Sequence, residues 1–299
     1  MSIDSKRASG VLVVGADGFI GRAFVRHLTT AGERVLTATG VDRVEPGGIR
    51  WGDALGVRTI VWAASTINPQ IAELYPERVA ADRRTVMEFV EAIDQSRHRP
   101  RLVVLSSGGT VYGESPSPHH EGSVTAPKGA YGAAKLRIED DVRATYDRAV
   151  VLRLSNVYGP GQPRARGQGV LGHWLRDIRD AKPVRVIGAL DAARDYIYID
   201  DVVDLLHAVH GVEGDLPNIM NAGSGTPTSL GELLDVVGRV VAPTPFEVSM
   251  APSRAFDVSA TWLDVARVAH CLNWRTAVSI EDGVRRMWWW IRDEEGAVG

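Results

Sequence analysis

The chain has almost no cysteine and no long apolar run. Cys271 is the only cysteine among 299 residues, which excludes an internal disulfide and is typical of a protein from a reducing cytoplasm. No apolar stretch reaches the roughly 18 residues of a membrane span, so we expect no membrane partner. The first residues are polar and show no signal-peptide pattern, which also favours a cytoplasmic location.

An excess of charge of one sign is also missing. The formal net charge is −3, which argues against a nucleic-acid partner. The hydrophobic content of 44% and the charged content of 24% are those of an ordinary globular protein that can bury a substantial core. Lysine is rare, with four of the 34 basic residues, so a lysine at a fixed distance from a reactive side chain is informative.

Short apolar runs alternate with helical patterns through the first half of the chain. Val11–Val14, Thr59–Ala63 and Arg101–Ser106 have the length and composition of buried strands. Between and after them, 77–96 and 131–146 carry apolar residues at helical spacing. Strands separated by helices predict a parallel sheet that is covered on both faces.

A glycine-rich turn follows the first predicted strand. Gly15, Gly18 and Gly21 stand in the pattern G-x-x-G-x-x-G between that strand and a helix. Glycines here allow a tight turn and a close approach of backbone N–H groups to a pyrophosphate, which the helix N-terminus favours electrostatically. The turn therefore predicts dinucleotide binding. Its predicted contacts also include the residues between the glycines, Asp17, Phe19 and Ile20.

Together these patterns predict an α/β protein with a Rossmann-type doubly wound parallel sheet and a smaller mixed α/β substrate-binding lobe. The Pro/Gly-rich segment 159–172 interrupts the alternation. We expect residues 1–160 to form the dinucleotide-binding domain, completed by part of 184–215. Residues 161–299 would mainly form the substrate-binding lobe.

The type of dinucleotide stays open at this point. An acidic residue about 20 positions beyond the glycine turn normally binds the adenosine ribose of NAD. Thr39 stands where that residue would fall, and Asp42 could reach the ribose from the next turn. Arg43 could instead meet the 2′-phosphate of NADP. We expect NAD as the cofactor, with NADP as the alternative.

One tyrosine is followed by a lysine four residues later. Tyr131 and Lys135 stand in Y-G-A-A-K, and no other tyrosine of the chain has a lysine at this spacing. With about 3.6 residues per turn, a helix brings both side chains onto one face. An ammonium beside a phenol favours the phenolate, so the pair is suited to exchanging a proton with an alcohol or ketone.

Taken in order, these motifs resemble the extended short-chain dehydrogenase/reductases, and the chain is similar to the NAD-dependent epimerase/dehydratase family, in particular its UDP-hexose 4-epimerase-like members. Further segments carry the resemblance along nearly the whole chain. They are Gly52-Asp53, Ala63-Ala64-Ser65, the run Ser106-Ser107-Gly108-Gly109-Thr110-Val111-Tyr112-Gly113, the run 152–160 with Asn156, the run 194–202 beginning Arg194-Asp195, and Arg254-Ala255-Phe256-Asp257.

The resemblance implies roles for residues in these segments. Asp53 would contact adenine, and Lys135 would hold the nicotinamide ribose beside the catalytic Tyr131. Asn156 would face the sugar nucleotide, and Arg194 and Arg254 would bind its diphosphate with forked donors. The resemblance also implies that the cofactor is contacted by Ala63, Ala64, Ser65 and Ser106. It implies that the substrate is contacted by Gly108 and Gly109.

Two positions depart from the family's pattern. The family usually has Ser or Thr, hydrogen-bonded to the reacting hydroxyl, where this chain has Gly108. Ser107 or Thr110 would then donate the catalytic hydrogen bond that this hydroxyl normally makes. The alternatives are that a water makes it or that the substrate is placed differently. Asp82 stands where the family often has Asn, in the helix before the active-site strand.

The activity implied is that of a nucleotide-sugar 4-epimerase that oxidises C4 transiently with tightly bound NAD. An NADPH-dependent 4-ketoreductase of a deoxysugar nucleotide is the first alternative, motivated by Thr39, Arg43 and Gly108. A catalytically silent dinucleotide-binding regulatory protein is the alternative from another class. The partners expected are a nucleotide-diphosphate sugar and a second copy of the chain, because family members commonly dimerise through the helices 77–96 and 131–146.

Histidines offer weaker candidates. His207 and His210 share a helical face with Asp204, but no further ligand is apparent, so we expect no metal site. His119 and His120 lie in a polar loop and are predicted to be solvated.

Overall fold

A computed structural model describes residues 10–39, 56–96, 98–164, 169–254 and 257–293. The strands of this part are, in chain order, β1 (Gly10–Val14), β2 (Val35–Ala38), β3 (Val57–Trp62), β4 (Arg101–Ser107), β5 (Ala149–Leu154), β6 (Asn156–Tyr158), β7 (Val184–Ile187), β8 (Ala193–Tyr198), β9 (Ile219–Ala222), β10 (Pro227–Ser229), β11 (Val248–Ala251) and β12 (Ala260–Thr261). The helices are α1 (Phe19–Thr30), α2 (Pro69–Leu74), α3 (Pro76–Asp94), α4 (Gly108–Val111), α5 (Ala130–Thr145), α6 (Val170–Arg179), α7 (Ile199–Gly211), α8 (Leu230–Val241), α9 (Ala266–Leu272) and α10 (Ile280–Asp293).

Six strands form a central parallel sheet in the order β2-β1-β3-β4-β5-β9. Both faces of this sheet are covered, which explains why β1 is buried along its whole length. Val11 and Val13 point into the core on the side of α1 and α7, while Leu12 and Val14 point into the core on the side of α3 and α5. The predicted α/β fold with a doubly wound parallel sheet is therefore confirmed.

The last strand of the sheet comes from late in the chain. Strand β9 pairs with β5, and it lies beyond the segment 184–215 that the sequence predicted would complete the first domain. From that segment, α7 packs against α1 on the sheet. The division of the chain into two domains stays a prediction.

A second set of elements surrounds its own apolar core. The helices α6, α8 and α10 pack there with β7 and β8, around large side chains such as Trp174 and Met287. Strand β8 pairs in parallel with β6 and β12 and antiparallel with β10, so this sheet is mixed. No helix of the described ranges has the length and apolar character needed to cross a bilayer.

Candidate functional site

The predicted site lies at the carboxyl ends of the central strands. Strand β2 lies on one side of β1 and β3 on the other, so the strand order reverses direction next to β1. Ligands of open α/β sheets bind in the crevice at such a switch point. Gly15 follows β1 at this place and Ala63 follows β3, with the Ala63 N–H donating to the Val14 carbonyl at 2.8 Å.

The glycine turn leaves no room for side chains. Gly15 has a φ of +86°, and a Cβ atom there would lie 2.6 Å from the Ala64 nitrogen. A Cβ atom on Gly21 would lie 2.1 Å from the Gly15 carbonyl oxygen. The two glycines therefore let the turn fold back tightly onto the start of α1 and onto the turn after β3.

Within the described residues, no side chain caps the N-terminus of α1. Its N-cap, Gly18, supplies no side-chain hydrogen bond, and the first turn carries no acidic residue. Phe19 and Ile20 open the helix, while Asp17 and Gly18 are exposed. Unpaired amides at a helix start are the donors that a pyrophosphate needs. The residues of this turn thus fit the predicted dinucleotide, whereas Asp42, Arg43 and Asp53 lie outside the described residues.

Asp82 of α3 holds the turn after β3 in place through hydrogen bonds. Its carboxylate is buried and accepts hydrogen bonds from Ser65 Oγ at 3.1 Å, from the Thr66 N–H at 2.6 Å and from Thr66 Oγ1 at 3.0 Å. The Ser65 hydroxyl is therefore committed to Asp82. This arrangement gives Asp82 a structural part in shaping the wall next to Gly15.

Helix α5 holds the predicted proton-transfer pair. Glu73 of α2 accepts from the Ala130 N–H at 2.6 Å and so caps the start of the helix. Tyr131 is partly buried in a small cluster with Ile67 of the turn after β3. A Cβ atom on Gly132 would lie 2.6 Å from the Thr110 carbonyl oxygen, so α5 approaches α4, the short helix after β4, closely.

Lys135 lies beside Tyr131, as the spacing predicts. Its Nζ is 5.7 Å from the centroid of the Tyr131 ring, and the side chain is only 8% exposed. Among the described residues, Nζ makes neither a hydrogen bond nor an ion pair. Most of the Lys135 side chain is buried, and an ammonium without a protein partner fits a site in which ribose hydroxyls of a dinucleotide would accept its hydrogen bonds.

The short helix α4, which follows β4, lies against Asn156, a predicted substrate contact. Gly109 faces the amide of Asn156, because a Cβ atom on the glycine would lie 3.7 Å from Asn156 Nδ2. Asn156 donates from Nδ2 to the Asp195 carbonyl at 2.9 Å, which holds the amide in place. Thr110 Oγ1 donates weakly to the Ser107 carbonyl at 3.4 Å. These residues converge as predicted, although their roles stay predictions.

Packing explains why position 108 carries no side chain. A Cβ atom on Gly108 would lie 2.7 Å from Leu263 Cδ1 and 3.0 Å from the Arg153 carbonyl oxygen. Leu263 is buried against Val111 and Tyr112. The sequence offered no signal for this contact, because 155 positions separate the two residues.

One helical turn after Lys135, Glu139 belongs to a buried polar network that the sequence did not predict. Glu139, which has no exposed surface, forms an ion pair with Arg153 of β5 at 2.6 Å and also accepts a hydrogen bond from Ser106 Oγ. The guanidinium of Arg153 lies over the ring of Tyr112, 4.9 Å from its centroid. The hydroxyl of Ser106 therefore points to Glu139, within the protein.

The two predicted diphosphate ligands already have protein partners. Arg194 donates to the carbonyls of Ala193 at 2.8 Å and Val258 at 2.6 Å, and burial lowers its pKa. Arg254 pairs with Asp257, with 3.0 Å between Nη2 and Oδ1. The prediction that both bind a diphosphate therefore requires these contacts to be exchanged.

The prediction that His119 is solvated is wrong. Its side chain is fully buried and stacks on the Tyr112 ring at 4.6 Å between centroids. Ser115 Oγ lies 3.3 Å from Nδ1 and Ser117 Oγ lies 3.1 Å from Nε2, so both ring nitrogens have partners within the loop. Burial lowers the pKa of His119. His120 is exposed, as expected.

Comparisons with known proteins agree with this geometry. The model of the family described as "NAD dependent epimerase/dehydratase family" matches residues 11–223. A dTDP-4-dehydro-6-deoxyglucose reductase of Escherichia coli is 26% identical over 94% of this chain and 97% of its own length. A UDP-glucose 4-epimerase of Mycolicibacterium smegmatis is 30% identical, over 62% of this chain and 60% of its own length.

A solved structure of similar fold is the UDP-glucose 4-epimerase of Thermus thermophilus in complex with NAD. It superposes with a TM-score of 0.83 at 26% identity, over 95% of this chain and 99% of that one. The resemblance inferred from the sequence, the enzyme class and the NAD cofactor are thereby confirmed. The chain belongs to the NAD dependent epimerase/dehydratase family and is an NAD(P)-dependent enzyme of the nucleotide-sugar epimerase and reductase kind.

Proposed function

We propose that this protein is a nucleotide-sugar 4-epimerase that works with tightly bound NAD and with Tyr131 as its acid and base. The observation that carries the proposal is the position of Tyr131 beside the ammonium of Lys135, a residue that is mostly buried. Helix α5 comes close to α4 at Gly132 and Thr110, and Gly109 of α4 faces Asn156. We therefore expect the proton donor and the candidate sugar contacts to share one crevice.

The chemistry divides between the cofactor and the chain. Bound NAD would supply the redox chemistry, as the acceptor and later the donor of the hydride at C4 of the sugar. Tyr131 would take the proton of the 4-hydroxyl and give it back when the opposite configuration forms. Lys135 would stabilise the phenolate electrostatically and hold the ribose. Since no side chain stands at position 108, Ser107 or Thr110 would orient the 4-oxygen.

The diphosphate would lie on the other side of the crevice. Arg194 and Arg254 are the candidates, because each can present a fork of donors to phosphate oxygens. Asp257 competes for Arg254 in the free protein. Substrate binding would replace that carboxylate by a diphosphate of the same sign of charge.

A 4-ketoreductase of a deoxysugar nucleotide is the second candidate. The reductase of Escherichia coli aligns with this chain over nearly its full length, whereas the Mycolicibacterium epimerase aligns over less than two thirds of it. Gly108 favours the same interpretation, since the usual hydroxyl partner is missing. Both reactions would use Tyr131 and Lys135 in the same way.

Stoichiometry separates the two candidates. The purified protein is incubated with UDP- and dTDP-hexoses and, separately, with 4-keto-6-deoxy sugar nucleotides. Inversion at C4, followed by NMR without added dinucleotide, supports the epimerase. Oxidation of one NADPH or NADH per product, followed by the loss of the reduced nicotinamide absorbance, supports the reductase instead. Mass spectrometry of any nucleotide that co-purifies identifies NAD or NADP.

We also propose a homodimer formed through α3 and α5. These helices pack side by side on the sheet, and between them lies an open groove of about 520 Å³ lined by residues such as Met87 and Ala144. Glu88 on the same groove could pair with a second copy, whereas Arg83 and Asp141 already pair with each other at 2.5 Å. Light scattering of the purified protein tests this proposal, and a monomer at all concentrations would contradict it.

A further inference from the structure

Lys135 has an acidic neighbour on its own helix and is not paired with it. Glu139 follows Lys135 by four residues in α5, a spacing at which opposite charges normally attract each other. Both side chains are buried, where such an attraction is stronger than in water. Yet in the ranges that the structure covers, Nζ of Lys135 forms no ion pair. Some other group must therefore satisfy Glu139.

Arg153 is that group. It reaches from β5 and donates to Glu139 Oε2 from Nε at 2.9 Å and from Nη2 at 2.6 Å. Its Nε also lies 3.2 Å from Oε1, the oxygen that accepts from Ser106 Oγ. Both carboxylate oxygens of Glu139 are thus engaged by a forked cation and a hydroxyl.

Arg153 is itself held in this orientation. Its guanidinium lies over the ring of Tyr112, whose hydroxyl donates to Asn221 Oδ1 at 2.6 Å. Burial alone would lower the pKa of Arg153, but its hydrogen bonds and attraction to Glu139 raise the pKa above the ordinary arginine value. The cation is therefore permanent, and it is held between the carboxylate of Glu139 and the ring of Tyr112.

We propose that Arg153 is a positioning residue of the proton-transfer site: by engaging Glu139, it keeps the ammonium of Lys135 free for the dinucleotide and for Tyr131. This inference rests on the proposed function. Without Arg153, two helical cations would stand four residues from Glu139, Lys135 and Arg143, and of these only Lys135 is buried as Glu139 is. Lys135 would then turn one helical step away from Tyr131.

The test compares three variants by their affinity for NAD, measured by titration calorimetry without sugar. Arg153→Met leaves Glu139 able to pair with Lys135, and we expect it to bind NAD roughly tenfold or more weakly. Glu139→Gln removes the competing charge, so it should retain NAD affinity within about threefold of the wild type. The double variant, Arg153→Met with Glu139→Gln, should recover the affinity that Arg153→Met loses.

A purely structural ion pair gives a different pattern. Removing either partner leaves a buried charge uncompensated, so both single variants should then lose affinity and thermal stability together. Equal losses of NAD affinity in Arg153→Met and Glu139→Gln, measured well below their unfolding temperatures, would overturn the inference. So would a double variant that binds no better than Arg153→Met.

A second variant covers the case in which the first does not fold. If Arg153→Met does not fold, Arg153→Gln provides the same comparison, since its amide can donate to Glu139 without neutralising it. Failure of the proposed function has a separate signature. It would appear as a wild-type protein that binds NAD but converts no sugar nucleotide, whatever the variants do.

Discussion

The side chain of Leu263 fills the space that any side chain at position 108 would need. A Cβ atom on Gly108 would come within 2.7 Å of Leu263 Cδ1, so the absence of the hydroxyl usual at this position is coupled to a residue 155 positions away. The reacting sugar hydroxyl must find its second partner at Ser107, Thr110 or a water.

This coupling predicts non-additive stabilities. Gly108→Ser should destabilise the protein by about 1–3 kcal/mol, because the new side chain overpacks a filled site. Leu263→Ala alone should cost about 2–5 kcal/mol as a cavity forms. Urea unfolding of the double variant should show a loss smaller than the sum by about 1 kcal/mol or more. Strictly additive losses would mean that the Leu263 side chain can move aside without cost and does not exclude a side chain at position 108.

The glycine turn predicts a selective loss of dinucleotide binding. In Gly21→Ala, the new Cβ would fall 2.1 Å from the Gly15 carbonyl, so the turn must open. We expect NAD affinity to fall by about tenfold or more. Gly238→Ala is the matched control: it lies within α8 with nothing within 4 Å of its Cβ position, and it should raise stability by about 0.5–1 kcal/mol without affecting NAD. Unchanged NAD affinity in Gly21→Ala would contradict the assignment of the turn.

The hydrogen bonds of Asp82 predict that its substitutions weaken stability and NAD binding to different degrees. Asp82→Ala removes the acceptor for the Thr66 N–H and for two hydroxyls, so the turn after β3 should loosen. We expect a stability loss of about 1–3 kcal/mol and weaker NAD binding. Asp82→Asn keeps one carbonyl acceptor and should lose less of both. Equal losses in the two variants would show that the charge, and not the acceptor, supports the turn.

His119 predicts a pH dependence of stability. Burial lowers its pKa in the folded protein, so below the ordinary histidine value near 6.5 the unfolded chain binds a proton that the folded chain does not. Stability should therefore fall as the pH falls through that value. His119→Gln keeps hydrogen-bonding capacity without titrating. Its free energy of unfolding should change less between about pH 7.5 and 5.5 than that of the wild type, and an identical change would refute this account of His119.

Local spacing predicted the tight glycine turn and the closeness of Tyr131 to Lys135, and long-range packing explains the features that the sequence did not indicate. The glycine turn and the pair Tyr131 and Lys135 depend on residues only a few positions apart, which the sequence displays directly. The contact of Leu263 with Gly108 depends on tertiary structure. His119 was expected in solvent because its loop is polar, but the nearby serines satisfy its nitrogens and permit burial.

The environment of Glu139 was only partly predictable from the sequence. Its spacing from Lys135 is visible in the sequence, and the same spacing would have suggested an ion pair between them. The structure shows the opposite, because Arg153 approaches from the neighbouring strand. A helical pattern indicates which charges share a face, but the partner of a buried charge depends on the whole fold.

The central claim is that Tyr131 transfers the proton at C4 of a nucleotide sugar. The most direct measurement is the turnover of Tyr131→Phe, beside Tyr75→Phe, in which a tyrosine that is 46% exposed is changed in the same way. We expect Tyr131→Phe to lose roughly 100-fold or more in kcat while it still binds NAD, and Tyr75→Phe to match the wild type. Wild-type turnover in Tyr131→Phe would contradict the account.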